Sequence, residues 1–299
     1  MSQKVNLFVV GAMKAGTTSF VNMLSKSEQI YIPPIKEPHY FVNELPQSIY
    51  NPSRFFDLKT YFEKEFPKPI HIAKLNNSAH YEKLFSLAQP KHKYLVDSST
   101  CYLNSPESAK QIYDYNKNAK IIILLRNPLK RAISHYQMDV GLGRTLRSFE
   151  DEISNEMEEY KKGMLSQWSY LNMSFYNQQV DNFKNYFGDR LLILHFEKLI
   201  KSDREEFLKL HQFLGIESFC SLPEQNKTRN IRFKHLNHVL IKIGFKDLFS
   251  FLVPAKLKHN LFQILSSERK QEIDLSEKTH NKLQSLFAIK SNKYLDPLK

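Results

Sequence analysis

The chain has 299 residues, of which 41% are hydrophobic and 13% aromatic, enough for a sizeable core in one large or two small domains. Its 43 Lys and Arg against 31 Asp and Glu leave a net charge of +12, which indicates an anionic partner: nucleic acid, acidic lipid, polyanionic glycan or a phosphate-rich cofactor. Because no zinc-finger or aromatic RNA-binding signature is present, we do not expect that partner to be nucleic acid.

The N-terminal residues predict a strand, an anion-binding loop and a helix. An apolar run at residues 7–10 leads into a loop that begins at Gly11, and apolar residues at helical spacing place the helix at residues 19–26. Two glycines let the backbone approach an anion, and the amides and dipole of a helix start favour negative charge. The alternative is an ordinary strand-to-helix turn with a solvated Lys14.

This loop does not match the Walker pattern of nucleoside triphosphate sites, G-x-x-x-x-G-K-[ST]. Thr17 stands where that pattern needs lysine, and Lys14 lies two residues before Gly16. The hydroxyls of Thr17 and Thr18 add donors to the mobile charge of Lys14. The loop therefore favours an anion site but disfavours a nucleoside triphosphate.

Residues 36–41 read K-E-P-H-Y-F and supply a candidate base. Pro38 favours extended geometry at Glu37, which is expected to hold the carboxylate on a non-helical loop. A carboxylate there could accept the proton of an attacking hydroxyl. A surface salt bridge between Lys36 and Glu37 is the simpler alternative, and His39 is the rival base.

Two more strands are predicted in the middle of the chain. Residues 93–103 form a strand and its exit, which carries Asp97, and a helix capped by Ser105 is predicted over residues 105–116. Residues 120–125 form a nearly continuous branched apolar run, typical of a central strand that is buried on both faces.

Arg126 follows this second strand, at the edge where open parallel sheets bind ligands. A guanidinium can bind phosphate through paired donors, and Ser134 on the following helix could add a hydroxyl. A Walker B strand would end in Asp, so Arg126 disfavours a P-loop kinase. Helices at residues 174–187 and 204–214 and a strand at residues 191–196 continue the α/β pattern.

The N-terminal loop, the K-E-P-H-Y-F stretch and the stretch R-N-P-L-K-R-A-I-S-H-Y at residues 126–136 together resemble sulfotransferases. These enzymes use 3′-phosphoadenosine 5′-phosphosulfate (PAPS) as sulfuryl donor. The resemblance covers about residues 5–216 and is most specific for bacterial members similar to heparan sulfate sulfotransferases. It implies a P-loop-like, mostly parallel central sheet flanked by helices. It also implies an acceptor hydroxyl on a carbohydrate or glycolipid, with a small alcohol or lipid as the alternative, and no metal ion.

The resemblance also implies a role for individual residues. Glu37 is expected to be the catalytic base, and Lys14 to act in catalysis as well as in binding. Arg126 and Ser134 are expected to bind the 3′-phosphate. The residues expected to bind PAPS are Lys14, Ala15, Gly16, Thr17, Thr18, Arg126, Ser134, Lys227 and Arg229. Those expected on the acceptor side are Lys36, His39 and Asp97. For Lys227 and Arg229, a solvent-exposed basic loop is the alternative.

One stretch departs from the family pattern E-K-S-P-x-Y. Asp97 stands for the glutamate, Ser98 for the lysine and Thr100 for the proline. Because the family's lysine lies near the reacting hydroxyl, Ser98 indicates a different acceptor geometry. For Asp97, capping of the turn that reaches Cys101 is the alternative to an acceptor-side role.

The C-terminal part is predicted to be helical and basic. Residues 231–260 hold six Lys or Arg and one acidic residue among apolar ones, as in helices that lie on anionic membranes. A helical appendage that packs on the core with a solvated basic face is favoured over membrane contact and over docking of an acidic glycan. We predict a single domain over residues 1–299, with a core at about 1–230 and a helical extension at about 231–299.

The sequence also predicts a location. Cys101 and Cys220 are the only cysteines, which suits a reducing compartment, although one bridge stays open. The N-terminus lacks a signal-peptide layout and a span of about 20 apolar residues. Golgi members of the family usually carry an N-terminal anchor. We therefore expect a bacterial cytoplasmic enzyme, at the inner face of the membrane if its basic helices bind lipid, or a shortened form of a longer protein.

A non-enzymatic alternative is a basic, membrane-associated nucleotide-binding protein with a decayed active site. The presence of Lys14, Glu37, Arg126 and Ser134 disfavours it. The oligomeric state is left open.

Overall fold

The strands of the described residues build one central sheet and two short pairs. A computed structural model describes residues 4–216, 221–222, 230–231, 266–267, 273 and 275–295. The strands are β1 (Leu7–Gly11), β2 (Ile30–Tyr31), β3 (Ile35–Glu37), β4 (Ile70–Ile72), β5 (Tyr94–Asp97), β6 (Lys120–Leu125), β7 (Leu191–His195), β8 (Asn230–Ile231) and β9 (Ser266–Ser267). The central sheet has the order β2-β5-β1-β6-β7, and all its strand pairs are parallel. The predicted parallel central sheet is confirmed.

Helices flank this sheet, as predicted. They are α1 (Thr17–Leu24), α2 (Leu58–Thr60), α3 (Ser78–Lys83), α4 (Ser108–Tyr115), α5 (Pro128–Gly141), α6 (Phe149–Lys161), α7 (Tyr176–Phe187), α8 (Phe196–Leu199), α9 (Arg204–Leu214) and α10 (Glu277–Lys290). A π-helical turn at Tyr61–Glu65 continues α2. Single 3₁₀ turns occupy Tyr102–Asn104, Asn172–Ser174, Gly188–Arg190 and Asn292–Tyr294. No helix of the described residues combines the length and apolar character needed to cross a bilayer.

The two central strands form the middle of the core. Residues 7–10 of β1 and residues 121–125 of β6 have no exposed surface, because neighbouring strands and helices cover both of their faces. Phe8 pairs with Ile121 on one side and with Asp97 of β5 on the other. Since these strands are parallel, the loops that follow them open at the same edge of the sheet.

The short pair β3–β4 lies beside this edge. Glu37 is the last residue of β3 and pairs with Ile72 of β4. The carbonyl of Glu37 accepts a hydrogen bond from the amide of Ala73 at 3.0 Å, and the carbonyl of Pro34 accepts one from Ile70 at 2.9 Å. This ladder fixes the K-E-P-H stretch against a segment more than thirty residues later in the chain.

Three predicted helix starts differ from those observed, and one of them is that of α7, which begins at Tyr176 and not at residue 174. Helix α1 begins two residues early, at Thr17, because Gly16 takes the left-handed conformation and serves as its N-cap. Helix α4 begins at Ser108 with Glu107 as N-cap, so the prediction of Ser105 as the cap is wrong. Ser105 instead ends the preceding 3₁₀ turn, where its amide bonds to the Cys101 carbonyl and its buried hydroxyl lacks a partner.

The last helix, α10, packs on the body of the protein. Leu283 and Phe287 are buried in an apolar cluster with Tyr136 of α5 and Ile153 of α6. The Nε2 atom of His195 lies 3.0 Å from the carbonyl of Tyr294, just beyond α10. The division into a core and a helical extension stays a prediction, because most of residues 231–260 lie outside the described residues.

Candidate active site

The loop after β1 ends at an uncapped helix start. Gly16 has a φ of 81°, in the left-handed region that favours glycine. A Cβ atom at Gly16 would lie 2.5 Å from Cδ2 of Phe196 and closer still to Cε2, so the backbone packs directly on this ring. No side chain caps α1, which leaves its first amides available to a ligand. This backbone therefore fits an anion.

Lys14 and Arg126 bring two positive charges to the loop. The Nη1 atom of Arg126 donates to the carbonyl of Lys14 over 2.9 Å, and its guanidinium lies 5.0 Å from the centroid of the Phe196 ring. Burial, and then the charge of Arg126, lower the pKa of the Lys14 amine. An anion bound here would offset both effects and stabilise the two cations.

The guanidinium of Arg126 also shows where such an anion fits. Its Nε atom is buried and has no hydrogen-bond partner, and an unpaired buried charged donor is costly. Helix α5 follows, with Pro128 as its first residue and the Asn127 side chain accepting from the Lys130 amide at 3.0 Å. Ser134, 8% exposed, lies two turns along α5 and lines the same cavity.

Glu37 forms the opposite wall of the site and is only 5% exposed. Its Oε1 accepts from Nζ of Lys36 at 2.6 Å, and its Oε2 accepts from the hydroxyl of Thr100 at 2.8 Å. Burial by itself raises the pKa of Glu37. The charges of Lys36, His39 and His71 outweigh that effect and lower this pKa to about 2. The carboxylate is therefore ionised at neutral pH, as a general base must be.

His39 lies beside Glu37, as the sequence predicts. Its Nε2 is 3.5 Å from Oε2 of Glu37, and its backbone amide donates to the Ser99 hydroxyl at 2.9 Å. The ring is 1% exposed and packs edge-on against Tyr102, with Nδ1 buried and unpartnered. Burial lowers the pKa of His39 to about 4, so the ring is neutral at pH 7. At that pH the charge of Lys36 is the main electrostatic support of Glu37.

Asp97, which the resemblance places on the acceptor side, does not line the cavity. The residue has no exposed surface. Its carboxylate accepts hydrogen bonds from the hydroxyls of Tyr81 at 2.9 Å, Tyr102 at 2.8 Å and Ser99 at 2.7 Å. It also accepts from the Ser99 amide at 3.0 Å, as in the alternative of a turn cap. These donors occupy the carboxylate, so it cannot contact an acceptor.

Ser98 stands for the lysine of the pattern E-K-S-P-x-Y. Its side chain is uncharged and makes a hydrogen bond within the protein. Its hydroxyl donates to the carbonyl of Lys36 over 2.8 Å. The contact ties the K-E-P-H stretch to the exit of β5. The positive charge next to Glu37 therefore comes from Lys36, whose side chain is 12% exposed.

A cavity of about 310 Å³ joins the loop after β1 to the K-E-P-H-Y-F stretch. The predicted site residues that line it are Lys14, Gly16, Thr17, Thr18, Glu37, His39, Arg126 and Ser134. Ala15, Lys36 and Asp97 are described but do not line it. Lys227 and Arg229 lie outside the described residues. Sequence motifs separated by more than a hundred residues thus meet at one place.

The cavity also contains residues that the sequence motifs did not single out. His71 is the middle residue of β4, with its Nε2 3.7 Å from Oε1 of Glu37. Thr100 bonds to Glu37 from the exit of β5. His71 lies between two isoleucines, and this alternation predicts a strand with one face away from the core. The alternation does not predict which residues that face contacts.

Arg144 also lines the cavity. Its Nη1 lies 3.0 Å from Oδ1 of Asp139, and its Nη2 donates to the carbonyl of Ile49 at 3.0 Å. Arg144 therefore ties α5 to the segment before α2.

Comparison with known proteins identifies the family. The model of the sulfotransferase family matches residues 6–219. The chain belongs to the sulfotransferase family. The match includes the loop at Lys14, the K-E-P-H-Y-F stretch and the stretch at Arg126, so the family predicted from these motifs is confirmed.

The chain matches parts of curated sulfotransferases. Membrane-associated sulfotransferase kil1 of Dictyostelium discoideum is 29% identical over 135 residues, 45% of this chain and 23% of the relative. Heparan sulfate glucosamine 3-O-sulfotransferase 6 of Mus musculus is 25% identical over 126 residues, 41% of this chain and 35% of the relative. The chain thus spans about a quarter to a third of the length of these relatives.

A solved structure shows the same fold. The crystal structure of a sulfotransferase from Alicyclobacillus acidocaldarius is 24% identical and has a TM-score of 0.57. The alignment covers 84% of this chain and 96% of that one. The P-loop-like sulfotransferase fold predicted from the sequence is therefore confirmed.

Proposed function

We propose that this chain transfers a sulfuryl group from PAPS to an acceptor hydroxyl. The observation that carries the proposal is the cavity where an uncapped helix start, the half-buried guanidinium of Arg126 and the ionised carboxylate of Glu37 meet. When bound, PAPS supplies a sulfuryl group attached to a phosphate leaving group. Membership of the sulfotransferase family supports this reaction class.

On the donor side, the loop from Lys14 to Thr18 would hold the 5′-phosphosulfate, and Arg126 with Ser134 the 3′-phosphate. The unpartnered Nε of Arg126 and the free amides at the start of α1 support this assignment. Lys14 would stabilise the negative charge that grows on the phosphate oxygens. Electrostatic stabilisation of this kind is usually the largest single contribution to catalysis. Lys227 and Arg229 are proposed as further donor contacts.

On the acceptor side, Glu37 would accept the hydroxyl proton. Lys36 and Thr100 hold its carboxylate in place through hydrogen bonds of 2.6 and 2.8 Å. His39 would orient the acceptor or the loop, because its neutral ring is buried against Glu37 and carries an unpartnered Nδ1. Glu37 therefore supplies the base and its neighbours supply rigidity.

The acceptor that we propose is a carbohydrate or glycolipid hydroxyl. The names of the heparan sulfate glucosamine 3-O-sulfotransferases among the relatives support a sugar acceptor. A small alcohol or lipid is the second candidate, because the cavity also has an apolar wall with Ile49, Ile72 and Leu142. Screening sugars, glycolipids and alcohols with labelled PAPS decides between these classes.

We also propose a bacterial cytoplasmic location, with membrane contact of the basic residues 231–260 as the second candidate beside a helical appendage that packs on the core. The name of the Dictyostelium relative, a membrane-associated sulfotransferase, supports this second candidate. Binding to vesicles with and without anionic lipid tests it, because a basic surface binds anionic lipid in a salt-dependent manner.

Calorimetric binding of 3′,5′-adenosine bisphosphate, AMP and ATP with magnesium tests the donor site. We expect the bisphosphate to bind most tightly. Tight binding of ATP with no binding of the bisphosphate would overturn the proposal in favour of a P-loop kinase. If the bisphosphate binds but no acceptor class is sulfated, the chain is a nucleotide-binding protein with a decayed site.

A further inference from the structure

Sulfation of a hydroxyl leaves a proton behind in a buried place. The acceptor exchanges its O–H bond for an O–S bond, the bond from sulfur to the phosphate oxygen breaks, and one proton remains. Glu37 is the proposed base and is 5% exposed. Before the next turnover its carboxylate must pass that proton on, so the surroundings of Glu37 must contain an exit.

Most neighbours of Glu37 cannot provide this exit. Lys36 and Thr100 already donate hydrogen bonds to the carboxylate. His39 lies 3.5 Å away, but its side chain is 1% exposed, so a proton moved there would stay buried. A group is needed that meets Glu37 at one end and water at the other.

His71 lies near Glu37 and is also exposed to water. Its Nε2 lies 3.7 Å from Oε1 of Glu37, and 60% of its side chain is exposed. The β3–β4 ladder fixes this position, because the residue after His71 pairs directly with Glu37. Rotation of the exposed ring, or one bridging water, closes the remaining distance.

Given the sulfuryl transfer proposed above, on which this inference rests, we propose that His71 carries the proton from Glu37 to solvent after each turnover. The proton moves from the Glu37 carboxyl to the imidazole and then to water, and both side chains return to their starting states. His71 acts only through Glu37, by removing its proton, and is not needed for the sulfuryl transfer of the first turnover.

The charges around His71 suit this role. Its burial lowers the pKa of the imidazole, Glu37 raises it, and Lys36 on β3 and Lys14 in the first loop lower it. The net pKa lies below the ordinary value of 6.5, so the ring is mostly neutral at pH 7 and can accept a proton. Lys36 keeps the pKa of Glu37 below its ordinary value even when the His71 ring is neutral, so proton transfer from Glu37 to His71 is favourable.

The decisive experiment compares the first turnover with later ones in His71→Ala. Glu37 starts each experiment ionised, so we expect the single-turnover rate to match that of the unmodified chain. The steady-state rate should fall about tenfold, because later turnovers wait for the proton, and added imidazole should restore it. His280→Ala on α10 is the control and should change neither rate.

A second readout does not depend on turnover. The ¹⁵N-detected titration of His71 gives its pKa, and we expect Glu37→Gln to lower that pKa because the Glu37 charge raises it. An unchanged pKa would show that the two side chains do not interact, and would overturn the proposal.

Two kinetic outcomes also overturn it. Equal loss of the first and later turnovers in His71→Ala would mean that His71 binds the acceptor or supports the fold. Unchanged steady-state turnover would mean that the proton leaves by another route. In both cases the unmodified chain still sulfates its acceptor, whereas failure of the proposed function itself leaves no transfer in any variant.

Discussion

The amino group of Lys36 lies 2.6 Å from a carboxylate oxygen of Glu37, although the two are consecutive residues of β3. Consecutive residues of a strand ordinarily point to opposite faces, so the lysine side chain must turn back to reach its neighbour. The side chains of Lys36 and Glu37 are only 12% and 6% exposed. The salt bridge expected as the alternative to catalysis is therefore present, but it is buried next to the cavity and keeps the proposed base ionised.

Glu37→Gln should abolish sulfuryl transfer and leave the affinity for 3′,5′-adenosine bisphosphate nearly unchanged. The amide has the same shape but cannot accept a proton, and loss of a general base costs at least about 100-fold in kcat. Transfer from labelled PAPS and calorimetry measure the two quantities. Glu63→Gln, at an exposed residue of the π-helical turn, is the control. Activity in Glu37→Gln together with inactivity in His39→Ala would move the base to His39.

The stability of the chain should depend on pH through Glu37. Its folded pKa of about 2 lies below the ordinary 4.5. The ionised group therefore stabilises the fold fully above pH 4.5, and this contribution is lost as the pH falls toward 2. The full shift corresponds to at most about 3 kcal/mol.

Urea unfolding at pH 7 and pH 3 measures this contribution. We expect Glu37→Gln to be less stable than the unmodified chain at pH 7 and to approach it at pH 3. The comparison removes the effect of other acidic groups, because they are common to both proteins. A difference in unfolding free energy that is independent of pH would contradict the assigned shift.

The parts of the site that could be predicted are those that depend on short stretches of sequence. Lys14 and Arg126 each follow an apolar run that reads as a strand, and parallel strands bring such positions to one edge of the sheet. Pro38 predicts extended backbone at Glu37, and the resemblance to sulfotransferases favours Glu37 as the base over a surface salt bridge and over His39. In each case a few adjacent residues determine the local conformation. The sheet topology then brings these residues together at one edge.

The parts that could not be predicted depend on contacts between distant segments. His71 meets Glu37 only through the β3–β4 pairing, which no local pattern specifies. The resemblance implies an acceptor-side role for Asp97, because this residue stands for the glutamate of the family pattern E-K-S-P-x-Y. Whether such a residue faces the cavity or the core depends on the path after the strand, and here Tyr81 and Tyr102 surround it in the core.

Asp97→Asn should lower stability and leave the site intact. The amide nitrogen would face the hydroxyl donors of Tyr81, Tyr102 or Ser99, and an unsatisfied buried polar group costs about 1–3 kcal/mol. Urea unfolding should show this loss, while the KM for the acceptor stays constant. Asp114→Asn, at an exposed residue of α4, should show no such loss of stability. A raised KM without loss of stability would restore the acceptor-side role.

Gly16→Ala should weaken donor binding because of Phe196. The new Cβ atom would lie 2.5 Å or less from the ring, and the φ of 81° is strained for alanine. We expect the affinity for the bisphosphate to fall about tenfold or more, because the first turn of α1 must shift. Calorimetry of Gly16→Ala, Phe196→Ala and the double variant separates the causes. Partial recovery in the double variant identifies the steric effect, whereas additive losses would contradict it.

The two ends of the nucleotide should separate the roles of Arg126 and Lys14. If Arg126 binds the 3′-phosphate, Arg126→Ala should weaken binding of 3′,5′-adenosine bisphosphate by about 10- to 100-fold, as expected for a lost hydrogen bond between charged groups. Affinity for AMP, which lacks that phosphate, should change little. Lys14→Ala should weaken both nucleotides, because both carry a 5′-phosphate. Lys130→Ala is the control, because it removes an exposed cation from the same helix as Ser134. It should change the affinity for neither nucleotide strongly. Equal losses for both nucleotides in Arg126→Ala would show that Arg126 supports the loop through its bond to the Lys14 carbonyl and does not read the 3′-phosphate.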